Sequence, residues 1–118
     1  MARQSILIVD DNSDFCEVAA TILRGEGFAV DQCSDVRLAI ARAKSTSYSA
    51  VVLEPSPAAG FAPLFEILDL HHVIAATTED DEDLAGRLAD AGVFCVVRKP
   101  LTRQKLQQLV RACCGGRP

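Results

Sequence analysis

Ile6-Leu7-Ile8-Val9-Asp10-Asp11 sets four consecutive apolar residues directly before two adjacent carboxylates. The apolar half of this pattern recurs in Ala50-Val51-Val52-Leu53, Val73-Ile74-Ala75-Ala76 and Val93-Phe94-Cys95-Val96-Val97. None of these runs alternates with polar residues, so each reads as a strand buried on both faces, the mark of a parallel sheet covered by helices. A fifth run, Phe28 to Cys33, is interrupted by polar residues and reads as an edge strand.

Helical spacing fills the intervals. Phe15, Val18, Ala19, Ile22 and Leu23 share one face before Gly25 and Gly27, and Ser34 is placed to cap a second helix carrying Val36, Leu38, Ala39 and Ile40. A short third helix is predicted from Pro63 to about Leu70, a fourth from Asp81 to Ala91 with Gly92 as its stop, and a fifth from Leu101 to about Cys113. Five β-α units in succession imply an α/β fold: an open parallel sheet with right-handed crossovers and helices on both faces.

Length and composition bound the rest. The chain has 118 residues, 49% of them apolar and 24% charged, which is enough for one packed core and points away from disorder. One domain over residues 1–114 is expected, with 115–118 as a tail or the start of a linker. The longest apolar run, Val93 to Val97, is far short of the roughly 20 residues that span a membrane. Sixteen acidic against 12 basic residues leave a net charge of -4, and no block of Lys and Arg could neutralise a run of phosphates, so nucleic-acid binding is not expected. Five scattered cysteines with no CxxC pair, and no apolar leader ahead of Ile6, lead to the expectation of a cytoplasmic protein. Cys16, Cys33 and Cys95 read as small core residues, and Cys113-Cys114 as partly exposed.

In an open α/β sheet the site lies beyond the carboxyl ends of the strands. Those ends carry Asp10-Asp11, Glu54, Thr77-Thr78 and Arg98-Lys99-Pro100. Three carboxylates, a hydroxyl and a lysine thus converge, and like charges so close need a cation, either Mg²⁺ or Lys99, or else a protonated carboxyl.

The order of these motifs resembles the response-regulator receiver domain of two-component signalling. The resemblance spans nearly the whole chain, through Ile6 to Asp11, Gly27-Phe28, Thr77, Ala91-Gly92 and Lys99-Pro100. It implies a flavodoxin-like (βα)5 fold with strand order 2-1-3-4-5. It also implies an acidic pocket at Asp10 and Asp11, a phosphoacceptor position at Glu54, and phosphate-binding and switch equivalents at Thr77 and Lys99. Mg²⁺ would fall to Asp11, Glu54 and the backbone carbonyl of Ser56.

Three departures from the family pattern stand out. The acceptor position holds glutamate rather than aspartate, which adds one methylene and roughly 1.5 Å of reach. Pro57 and Gly60 follow Glu54 sooner than the family's proline and glycine do, and Pro55 removes an amide beside the site. Val96 occupies the position where the family often places a switching aromatic.

The expectation is therefore a non-enzymatic, phosphorylation-independent receiver in which Mg²⁺ binds weakly or not at all. Such a domain would act by protein contact through its fourth helix, fifth strand and fifth helix, with a homodimer as a further partner arrangement. The alternative is a Mg²⁺-dependent phosphoryl-accepting switch using Asp10, Asp11 or Glu54 itself. A flavin site of the same topology is disfavoured, because Asp10-Asp11 would repel its phosphate.

Overall fold

The computed structural model describes residues 3–55, 66–67, 72–78 and 82–115. Five strands, β1 (Ser5–Val9), β2 (Ala29–Cys33), β3 (Ala50–Leu53), β4 (Val73–Thr77) and β5 (Cys95–Arg98), form one parallel sheet in the order β2-β1-β3-β4-β5. Among the described residues four helices accompany it: α1 (Ser13–Gly25), α2 (Val36–Ser45), α3 (Glu82–Ala91) and α4 (Arg103–Cys113). The predicted third helix, with Pro63, lies outside the described residues except for Glu66 and Ile67, which are helical. The segments predicted as the fourth and fifth helices are therefore α3 and α4.

Burial follows the two-residue period of the strands. Ile6 and Ile8 face a core shared with Ala20 and Leu23 of α1 and Leu106 and Val110 of α4. Leu7 and Val9 face the opposite core, built with Ala39 and Ala43 of α2 and Leu84 and Leu88 of α3. Both faces of the central strands are covered, which is why their sequences are continuously apolar.

Three local expectations are corrected. The α2 cap is Asp35, not Ser34: its carboxylate accepts the Arg37 amide at 2.8 Å, a charged acceptor well suited to the positive end of a helix. α4 starts at Arg103 with Thr102 as its cap, while Leu101 packs against the core ahead of it. The last strand starts at Cys95 rather than Val93, and its residues are only half-buried or exposed. It is the sheet's edge, and Gly92, at φ 105°, turns the chain so that Val93 is buried while Phe94 faces out.

No helix among the described residues is long and apolar enough to cross a membrane. The paired cysteines at the end of α4 are less open than expected: Cys113 is buried and Cys114 half-buried. Burial, reinforced by its neighbours Cys114 and Cys95, pushes the Cys113 thiol up to about 12. Because the thiolate is the nucleophile, and a higher thiol pKa also makes the thiolate more nucleophilic, Cys113 in the native protein should react with a disulfide reagent at pH 8 roughly 10- to 100-fold more slowly than an unperturbed thiol. Timed labelling with peptide mass analysis checks this, and equal rates native and unfolded would contradict it.

Candidate functional site

The sheet's hydrogen bonding runs one residue past three strand ends and thereby sets the site. The Asp10 amide donates to the Cys33 carbonyl at 3.0 Å, the Glu54 amide to Val9 at 3.0 Å and the Lys99 amide to Thr77 at 2.8 Å. Asp10, Glu54 and Lys99 are therefore held by backbone of β2, β1 and β4, and their side chains meet above the sheet.

Lys99 is the hub. Its ammonium donates to Asp10 Oδ2 and, at 3.2 Å, to Glu54 Oε1. The Asp10 side chain is 1% exposed, that of Lys99 9% and that of Glu54 22%, so little water screens the pairing. Asp10 Oδ1 accepts the Asn12 amide at 2.9 Å, and the Asp10 carbonyl accepts the Cys16 thiol at 3.3 Å. A buried carboxylate is tolerable only with such partners. The Lys99 ammonium also lies 4.1 Å from the centroid of the Phe15 ring, a cation–π contact.

Glu54 feels opposing influences. Burial first, and then the Asp10 carboxylate, raise its pKa, with Lys99 pulling the other way. An acid whose pKa is raised by folding contributes stability that is complete below its unfolded pKa and is lost as pH rises through the folded one. Glu54→Gln removes that ionisation. In metal-free buffer the stability of the variant relative to the native protein should therefore increase as pH rises from 4.5, the ordinary value, toward neutrality. Urea midpoints across that range measure it, and a difference independent of pH would contradict the assignment.

Asp11 is exposed, and its carboxylate lies with those of Asp10 and Glu54 so that ligand oxygens of all three fall within 4.8 Å of one another. This all-oxygen set suits a hard divalent cation. Ser56, the expected carbonyl ligand, lies outside the described residues, as do Pro57 and Gly60. Thr77 is buried at the end of β4, and Val96 is half-buried against the core on the α2–α3 face. The structure thus gathers Asp10, Asp11, Glu54 and Lys99, with Thr77 at the adjoining strand end.

Sequence reasoning missed Phe15 and Cys16 as site neighbours, because their apolar spacing accounts for them as core. The available signal was position: α1 begins directly beyond β1, so its first turns lie over the strand end that carries Asp10.

The profile of the family described as response regulator receiver domain matches residues 6–111. Among solved structures, a two-component response regulator from Clostridium difficile shares 23% identity, with 94% of this chain and 95% of that one covered and a TM-score of 0.86. A CheY-like receiver domain protein from Methanospirillum hungatei JF-1 shares 18% identity over 98% and 96%, with a TM-score of 0.86. A receiver domain protein from Clostridium thermocellum shares 27% over 96% and 95%, with a TM-score of 0.82. No curated protein matches. With the sheet order, the strand-end residues and a profile match over most of its length in agreement, this chain belongs to the response regulator receiver domain family of two-component signalling.

Proposed function

We propose that this receiver domain works without aspartyl phosphorylation, as a non-enzymatic, cytoplasmic protein-interaction module whose acceptor position is occupied by an internal counterion. The observation that supports this is the 3.2 Å contact of Lys99 Nζ with Glu54 Oε1. The longer glutamate side chain brings a carboxylate to the lysine that would otherwise wait for a phosphoryl oxygen. One negative charge approximates the roughly -1.5 to -2 of a phosphoryl group, and the added methylene moves the carboxylate out of line for attack on a donor.

Output through α3, β5 and α4 follows from this reading. Val96 leaves no ring to swing inward at that position, Phe94 is 44% exposed beside it, and among the described residues β5 pairs only with β4. A partner protein or a second copy would find apolar and half-buried strand surface there.

The clustered carboxylates favour a second reading. Asp10, Asp11 and Glu54 would hold Mg²⁺, which supplies charge neutralisation for a phosphoryl group arriving at one of the acids. Amide spectra of ¹⁵N-labelled native protein separate the two. Under the first reading, Thr77, Val96 and Lys99 resonances are the same with Mg²⁺ alone and with Mg²⁺ plus acetyl phosphate. Shifts that appear only with the phosphodonor, and decay as it is exhausted, would favour the second.

A further inference from the structure

We propose that Cys95 and Cys113 are a redox-modified pair, which a small peroxide oxidises to a disulfide tying the edge strand β5 to the last turn of α4. The two residues are 18 apart in sequence but lie at the same end of the sheet. Cys95 opens β5, and the chain leaves the far end of that strand and returns along α4 to Cys113, the last residue of the helix. Gln4 fixes where the helix ends. It directly precedes β1, and its side-chain amide donates to the Cys114 carbonyl at 3.4 Å. All five strands are parallel, so the starts of β1 and β5 share one edge, opposite to the acid pocket. The two-residue period of β5 aims Cys95 at the helix: Cys95 and Val97 pack against the core that contains Cys113, whereas Val96 packs on the other face.

Exposure divides the roles. Cys95 is half-buried and open to a small oxidant, and Cys113 is buried behind it. Burial raises the Cys95 thiol, but the Lys105 ammonium favours its thiolate, whereas at Cys113 the neighbouring Cys114 and Cys95 reinforce burial. Cys95 is therefore the first nucleophile and Cys113 the resolving thiol. The Cys95 thiolate attacks a peroxide oxygen, the O–O bond breaks, and water leaves with the thiol proton, giving a sulfenic acid. The Cys113 sulfur then attacks the Cys95 sulfur, the S–O bond breaks, and a second water carries off the oxygen with the Cys113 proton. Two electrons pass from the two sulfurs to the peroxide. Closing the bridge requires Cα atoms within roughly 7 Å, and both ends can adjust. Among the described residues β5 pairs only with β4, and Cys113 stands at a helix end. Cys114 is a poorer partner, because it points about 100° further round the helix.

In a reducing compartment such a bond is transient and reports oxidant. It joins two of the elements proposed for output, and it is independent of whether Glu54 accepts a phosphoryl group. Intact mass and peptide mapping of the native full chain after exposure to hydrogen peroxide test it. The expected product is a single chain lighter by two hydrogen atoms, with the Cys95 and Cys113 peptides linked and the original mass restored by dithiothreitol. Cys114→Ala should form the same bridge, and Cys95→Ala should form none. Cys113→Ala should stop at a sulfenic acid on Cys95, captured by dimedone. Cys95→Ala alters a half-buried edge position, so it serves as the control even where the core substitution at Cys113 impairs folding. A native chain that gains oxygen at Cys95 without losing the two hydrogens, a bridge made through Cys114, a link between two chains, or an unchanged bridge in Cys95→Ala would overturn the assignment.

Discussion

Lys99→Met is expected to destabilise the native protein by about 3–5 kcal/mol near neutral pH, the usual cost of breaking a buried ion pair by removing one partner. Methionine fills much of the lysine's volume, so the loss reports the charge, including its contact with the Phe15 ring. It leaves the buried Asp10 carboxylate beside that of Glu54 with no compensating ammonium. Adding Asp10→Asn should recover a large part of the deficit, because the like-charge repulsion disappears while an oxygen remains to accept the Asn12 amide. Lowering the pH should narrow the gap in the same way, since protonating Glu54, whose pKa burial raises, removes the like charge beside Asp10. Urea unfolding of the three proteins measures this. A Lys99→Met cost below about 1 kcal/mol, the scale of an exposed pair, would show that the ion pair is solvated.

Leu23→Ala should cost about 2–5 kcal/mol, through lost burial and the cavity left behind. Leu23 is fully buried in the core between the sheet, α1 and α4, and its carbonyl accepts the Glu26 and Phe28 amides that turn the chain into β2. The truncation loosens the helix that supplies Asn12, Phe15 and Cys16 to the site, so Lys99 should also lose some of its protection. Thermal or urea unfolding gives the stability change. A loss of less than about 1 kcal/mol would mean that this core collapses to fill the gap.

Fold and site differed in how far the amino-acid sequence exposed them. The apolar runs of β1, β3 and β4 were legible because burial on both faces of a parallel sheet leaves no polar position, and the glycines at 27 and 92 marked real turns with positive φ. Ser34 misled because Ser and Asp are both good caps and stand side by side, so only the backbone decides between them. Val93 and Phe94 misled because an apolar run carries no mark of where a turn ends and a strand begins. At the site, Asp10, Glu54 and Lys99 could be named from strand ends alone, since the sheet's hydrogen bonds continue one residue beyond β1, β3 and β5. Phe15 could not, because an aromatic on the apolar face of a helix satisfies a packing pattern whether or not a cation lies against it.

The proposed function turns on Glu54, directly after β3, and intact mass after incubation with Mg²⁺ and acetyl phosphate tests it most directly. Glu54→Asp, run in parallel, reports on the rest of the site. A phosphoryl adduct on that variant alone would assign the silence to the one added methylene, whereas none on either protein would place it in the shortened segment after Glu54. For the native chain the predicted result is an unchanged mass at every time point. A phosphoryl adduct on the native chain would contradict the account.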